Sequence, residues 1–344
     1  MHESLALCLL LAPLAAGQMP PIGIIDFYGL RQLSERQVRE ALQIREGDPG
    51  PESEKAASRA IESDKQRLRA LPGVRDVEIS GVCCDAGRLI VYVGIVEAGG
   101  KGYVFARPPA GKVRLPEEVV TAGQAFEEAL MAAVQKGDTG EDDTLGHSLS
   151  NNPAVRAIQD RFTLFAASGQ ARLRDVLAHS ADAEHRALAA QVLGYVADKR
   201  TVVADLTRAM RDPAEGVRNN AMRALAVIAD FADRNPRLHI SVAPGPFVDL
   251  LDSPVWTDRN KAVFALTVLT ENRDPALLAR LRQQALPSLV EMARWKSSMH
   301  ALGPLLILGR VAGLPDGAMR AMREPKDRET IIQAALASSP AGRK

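Results

Sequence analysis

The sequence predicts a small α+β unit followed by a long all-α repeat array, and three observations point there. Residues 22–97 run strand, helix, helix, strand, strand. From Asn152 onward the pattern is almost wholly helical and repeats itself. Aromatic residues make up only 4% of the chain, so aliphatics and Ala must fill the core, which suits closely packed helices. The same composition excludes other classes. The 344 residues carry 43 Lys+Arg against 42 Asp+Glu, a formal charge of +1, and so no net attraction to nucleic acid or an acidic membrane. An apolar share of 46% with 25% charged residues is the ordinary globular range.

The first expected segment is not part of the fold. Leu5–Gly17 is an unbroken run of apolar and small residues, too short for the ~20 residues of a membrane span. Pro13, Ala15 and Gly17 complete the outline of an export signal cleaved near Gly17, although only His2 and Glu3 precede the run. The mature chain is therefore expected in the periplasm or another extracytoplasmic space. Lipidation at Cys8 is rejected, because Leu7 stands where a small residue is needed.

The α+β unit spans 22–97. Ile22–Gly29 is rich in strand formers, and Ser34 with Gln37 forms a capping box at the start of a helix that ends by Gly47. A second helix runs from about Glu52 to Leu71, with Ala57, Ile61, Leu68 and Leu71 as its apolar stripe, and Pro72-Gly73 stops it. Val74, Val77 and Ile79 open a strand, Asp85-Ala86-Gly87 turns, and Leu89, Val91, Val93 and Ile95 alternate with period two. Cys83 and Cys84 are the only cysteines after the signal. A bridge between neighbours needs a strained turn, so they read as plain hairpin residues, with a vicinal redox disulfide or a metal-touching pair as the alternative.

Residues 98–115 are rich in Gly and Pro and read as a linker with a short strand at Tyr103–Phe105. A helix follows from Pro116 to about Lys136, with Val119, Phe126, Leu130 and Val134 on one face. The segment 116–151 closes on Asp138, Glu141, Asp142 and Asp143, ahead of His147. Calcium-loop spacing fails, since Leu149 stands at the twelfth position from Asp138. A solvated acidic loop with helix-capping duties is expected instead.

The repeat occupies 152–337. Arg218–Ile228 aligns with Arg259–Leu269 at six of eleven positions, and Arg186–Gly194 is a weaker copy matching at Arg186, Ala189 and Leu193. The copies are 32 and then 41 residues apart, and the excess falls in an insertion around Asn235–Pro246. Such a period in helical sequence predicts a solenoid of helix pairs. Ala221, Ala224, Leu225 and Ile228 form one stripe, in which small Ala admits a neighbouring helix closely. Acidic Asp182, Asp212 and Asp252 precede Arg186, Arg218 and Arg259. Near the end, Pro304 is expected to interrupt the helix Leu302–Val311, Glu324–Ala337 to cap the array, and the tail 338–344 to fray.

Two family resemblances follow. Ile24-x-x-Phe27-x-Gly29, the Ser34…Leu42…Gly47 helix, Leu71-Pro72-Gly73-Val74-x-x-Val77 and Val91-x-Val93-x-x-Val96-Glu97 together resemble a POTRA domain over about 75 residues. The resemblance implies a three-stranded mixed sheet backed by two helices. It also implies partner binding by strand addition at the edge strand 74–80, through Val74, Asp76, Glu78 and Ser80. The alternative is that the sheet is a docking surface for the rest of this chain. Asp212-Pro213…Val217-Arg218…Ala221…Ala224-Leu225 resembles the HEAT repeat, which implies that turn Asp and helix Arg pair along the stack. Asp182 fits that pattern only in part, because its spacing to Arg186 differs.

Gly-rich phosphate loops, His-Glu-x-x-His, Gly-x-Ser-x-Gly and Cys-x-x-Cys are absent from the sequence. His179 and His185 are expected on the solvent side, and the scattered Arg and Lys lack the aromatic set of a nucleic-acid platform. The expectation is an exported, non-enzymatic interaction protein with a protein partner, no cofactor and no bound metal. The alternatives are a structural spacer or adaptor in an envelope assembly and, more remotely, a metal-dependent enzyme using Asp138–His147 or Cys83–Cys84.

Overall fold

The computed structural model describes residues 19–100, 102–321 and 325–338. The expected signal Leu5–Gly17 and nearly all of the 338–344 tail lie outside these residues. In chain order the elements are β1 Ile22–Tyr28, α1 Glu35–Ala41, α2 Glu54–Arg69, β2 Val74–Asp85, β3 Arg88–Glu97, α3 Glu117–Gln135, β4 Glu141–Asp142 and β5 Leu149–Ser150. The helices α4 Pro153–His179, α5 Ala183–Leu193, α6 Val203–Ala209, α7 Glu215–Arg234 and α8 Gly245–Leu250 come next. Then follow α9 Trp256–Leu269, α10 Pro275–Gln284, α11 Leu286–Ala293, α12 Ser298–Val311, α13 Asp316–Ala321 and α14 Pro325–Ala337. Internal contacts divide the chain into two compact units: Val104–Pro246, and the sheet region up to Tyr103 together with the chain from Phe247.

In the sheet-containing unit, the order β1-β3-β2 places β3 at the centre, parallel to β1 and antiparallel to β2. The two-residue turn after β2 needs positive φ twice, which Ala86 (φ 49°) and Gly87 (φ 75°) adopt. The capping box at Ser34 forms as the sequence predicts. One sheet face carries Ile25, Val77, Ile79, Val91, Val93 and Ile95, packed on Val38 and Leu42 of the α1 region and Leu68 of α2.

The opposite face is also covered, and by this chain. Tyr92 stacks on Trp256 of α9 at 5.1 Å between centroids and lies 4.8 Å from the Trp295 ring. Its hydroxyl meets Nδ1 of His300 on α12 at 2.7 Å. A Cβ on Gly94 would come within 2.1 Å of the Pro254 carbonyl oxygen and 2.5 Å of the Tyr28 ring, so only glycine lets these layers close. Hydrogen bonds fix the docking: Tyr28 to the Pro254 carbonyl at 2.7 Å, Gly29 N–H to Glu291 at 2.8 Å, and Lys296 N–H to Asp26 at 2.9 Å. The sheet is therefore not a free-standing module. Both tryptophans of the chain are buried beneath it.

Glu97 clips the loop between β1 and α1. Its buried carboxylate accepts the N–H groups of Arg31 (2.8 Å), Gln32 (2.8 Å) and Leu33 (3.1 Å). Burial raises its pKa, but these donors outweigh that effect and leave it below the usual 4.5. A depressed carboxylate stabilises the fold above its unfolded pKa, and that contribution disappears as pH falls through the folded value. Glu97→Gln should accordingly cost about 1–3 kcal/mol in urea unfolding at pH 7 and much less at pH 3. An equal loss at both pH values would refute the charge-based account.

In the unit 104–246, α3 packs on α4, α4 on α5, α5 on α7 and α6 on α7. The segment 104–115 does not behave as a linker, and Tyr103–Phe105 forms no strand. Ala106 N–H donates to the Arg211 carbonyl at 2.6 Å, and Gly111 pairs with the turn after α4 through His179 O (2.8 Å) and Ala181 N–H (2.7 Å). The acidic stretch differs from expectation too. Glu141–Asp142 pairs with Leu149–Ser150 as a short antiparallel ladder, held down rather than solvated.

Pro304 does not interrupt its helix. α12 runs through it from Ser298 to Val311. An interior proline costs ~3 kcal/mol, but α12 buries Ala301, Pro304 and the whole of Leu305–Val311, and that packing outweighs the local penalty. α14 packs on α11 and α12, where an array cap was expected.

Candidate functional site

The outer edges of the sheet are unequal. Along β1, the N–H and carbonyl of Ile22 bond to Asp48 O and Gly47 N–H, at 2.9 and 2.8 Å. Ile25 N–H donates to Glu46 at 2.9 Å, and its carbonyl accepts from Arg39 and Lys296 at 3.3 and 3.2 Å. Ile22 and Ile25 are thus engaged on that edge.

On β2, Val77 turns its main-chain groups away from β3. Its N–H donates to Asp76 Oδ1 at 2.8 Å and its carbonyl accepts from Arg69 at 3.4 Å. Groups facing outward alternate along an antiparallel edge, so Ile79 and Gly81 turn theirs the same way. Gly81 is exposed, with open space where a Cβ would stand. The four residues expected to bind a partner sit differently. The Val74 N–H is taken by the Leu71 carbonyl at 3.2 Å, Asp76 pairs with Arg69 at 3.4 Å, and Glu78 pairs with Lys65 of α2. Ser80 lies opposite Tyr92. Charged pairs of this kind guard a strand edge against indiscriminate pairing, and they leave Gly81 as the exposed point of the edge, beside the buried Ile79.

The expected ladder residues share one local device. The Arg186 guanidinium binds the carbonyls of Ser180 and Ala181 at 2.9 and 3.2 Å, six and five residues back. Arg218 does the same with Asp212 and Pro213, at 2.8 and 2.9 Å, and Arg259 with Ser253 at 2.6 Å. Arg186 also makes a bidentate pair with Asp212 of the next copy, both bonds 2.8 Å. The carboxylate on Arg259 is Glu291 of α11, at 3.0 Å, a residue the repeat pattern did not single out. Asp182 caps α5 and pairs with Arg114 at 3.0 Å, and Asp252 accepts from Ser288 at 2.6 Å. Arg186, Arg218 and Arg259 are all buried.

The acidic loop leads into a buried polar network. The Lys199 ammonium donates to the Gly194 carbonyl at 2.7 Å and meets His147 Nδ1 at 3.2 Å. Gln159 and Tyr195 both donate to the Ser148 carbonyl, and Glu141 pairs with Arg223. Burial, with the Lys199 charge beside it, lowers His147 to about 4, and burial lowers Lys199 to about 8. These bonds anchor the loop. Among the described residues, no three of His, Cys, Asp and Glu are grouped to hold a metal ion, and no helix is long and apolar enough to cross a membrane. His185 is buried, contrary to expectation, because its Nδ1 accepts the Leu115 N–H at 3.0 Å. His179 remains exposed beside Asp175. Cys83 and Cys84 are joined in a disulfide rather than standing as plain hairpin residues.

A histidine held neutral by burial destabilises the fold in acid. The unfolded chain takes its proton near pH 6.5 and the folded chain only near pH 4, so stability falls across that window. His300, also lowered to about 4 by burial, adds to the same loss. Melting temperatures should therefore drop as pH falls from about 6.5 to 4, and His147→Gln and His300→Gln should each flatten part of the slope. Slopes identical to wild type in both variants would contradict the assignment.

Residues 171–267 match the family of HEAT repeats. Over those residues the helices follow the pattern of a helical repeat solenoid. Two designed armadillo repeat proteins, one in complex with the peptide (KR)4, are similar solved structures, each with 17% identity and a TM-score of 0.35 over 55% of this chain and 95% of theirs. No curated protein matches the chain. Stacked helical repeats present extended surfaces suited to binding, and here the Arg186–Asp212 pair joins the first two copies.

Proposed function

We propose that the chain is an exported, non-enzymatic scaffold that binds a protein partner through its HEAT-like solenoid and, at its POTRA-like sheet, by strand addition. The observation behind the second contact is the outer edge of β2. Its Ile79 and Gly81 turn main-chain groups outward, while side chains and a loop engage Ile22 and Ile25 on the β1 edge. An extended partner segment would gain main-chain hydrogen bonds there. The apolar run Leu5–Gly17 supports placing this scaffold in an extracytoplasmic space, and a reporter fused after Gln18 is expected to be exported.

Gly81→Pro is the discriminating variant. It removes an outward N–H, which an edge strand tolerates, and open space surrounds the position. Wild-type chain immobilised in an envelope extract should retain a protein that cross-links to β2. The proline variant should lose that protein while keeping the wild-type melting temperature. Retention of the same proteins, cross-linked at the same place, by both chains would sink strand addition.

A further inference from the structure

The edge of the unit 104–246 where the helix-joining turns meet the ladder arginines already holds an extended peptide, supplied by the chain. Residues 104–115 cross the turn at Arg211 through Ala106 and the turn at His179–Ala181 through Gly111. The Phe105 ring lies 4.1 Å from the Arg218 guanidinium. This is where a ring should go: the guanidinium edge donates to the Asp212 and Pro213 carbonyls, and its flat face attracts an aromatic ring. In the other unit, Arg259 receives the Tyr28 ring in the same way, at 4.4 Å. A Cβ on Gly111 would come within 2.4 Å of the His179 carbonyl oxygen, so close pairing at that turn demands glycine. The segment contains Arg107, Lys112 and Arg114 and no acidic residue, and Arg114 pairs with Asp182 at 3.0 Å.

The segment is held by backbone and charged groups more than by apolar burial. Val104, Ala106, Arg107, Pro108, Ala110, Lys112 and Arg114 are exposed, and Leu115 is its one fully buried residue. Segments with few buried apolar contacts open at low free-energy cost. We propose that this turn edge is a receptor track for an extended basic peptide with an aromatic residue six positions ahead of a glycine. Residues 104–115 occupy the track in cis until a partner segment of that chemistry replaces them. The proposal rests on the scaffold reading only in treating the edge as a protein-binding surface, and its test is independent of export and of β2.

The full chain carrying Phe105→Ala and Gly111→Val vacates the track. A fluorescein-labelled peptide with the sequence of residues 104–115 should bind it at least about tenfold more tightly than it binds wild type, read by anisotropy. The same peptide with both substitutions should lose that advantage. Equal binding to the two chains, or none to the variant, would overturn the proposal. Hydrogen exchange on the wild-type chain decides the matter without any variant. The Ala106 and Gly111 amides should exchange at least about tenfold faster than those of α5. Protection equal to α5 would make the segment a fixed part of the fold and end the idea.

Discussion

Replacing Asp212 with alanine should destabilise the unit 104–246 by about 3–5 kcal/mol, because it leaves the Arg186 guanidinium buried without its carboxylate. The pair is bidentate at 2.8 Å, with side-chain exposures of 2% and 8%, so little solvent can replace the lost partner. Asp212 also accepts the Ala214 N–H at 2.8 Å, close to the start of α7, and that bond is lost as well. Asp212→Asn separates the two effects, since it keeps an acceptor for Ala214 but removes the charge. Combining Asp212→Ala with Arg186→Met removes both charges, and the double variant should be more stable than Asp212→Ala alone. Chemical denaturation of the four chains measures this. A loss below about 1 kcal/mol for Asp212→Ala would mean the pair behaves like an exposed one.

Trp256→Ala should cost a similar ~3–5 kcal/mol in the sheet-containing unit. Trp256 is fully buried, stacks on Tyr92 and meets the His300 ring edge at 5.0 Å. Removing it opens a cavity between β3 and the helices, with little freedom to collapse because Gly94 already sits against the Pro254 carbonyl. The consequence reaches beyond stability. β3 positions β2, so exchange at the Tyr92–Ile95 amides should accelerate together with the α9 amides, and the β2 edge around Gly81 should lose definition. If the α9 amides accelerate while β3 keeps wild-type protection, the sheet stands without the helices and the docking described above is not what holds it.

Local features of the chain were readable residue by residue. The capping box at Ser34, the breaker at Pro72-Gly73 and the turn at Asp85–Gly87 act over a few residues, and each appears where the sequence places it. Helical periodicity and the Arg186, Arg218 and Arg259 copies announced the repeat array. Even the covered sheet left a trace, for Ile90, Tyr92, Gly94 and Val96 include no charged residue. A strand apolar on both sides is buried on both. The docking surface offered as the alternative to strand addition is that second face. Pro304 misled in the opposite direction, since its local penalty was legible and the burial of α12 around it was not.

What composition and periodicity settle about this protein is the kind of element at each position: three strands with two helices, then a run of helices with few aromatics. Those signals arise from backbone preferences and from one buried face per element, both encoded within a few turns of chain. Partner choice over long separations is another matter. Glu291 on Arg259, His300 on Tyr92 and Phe105 on Arg218 join residues that no spacing rule relates. Each pairing exists because folding removes water from both groups at one place, and a buried charge, hydroxyl or ring must then find its complement there.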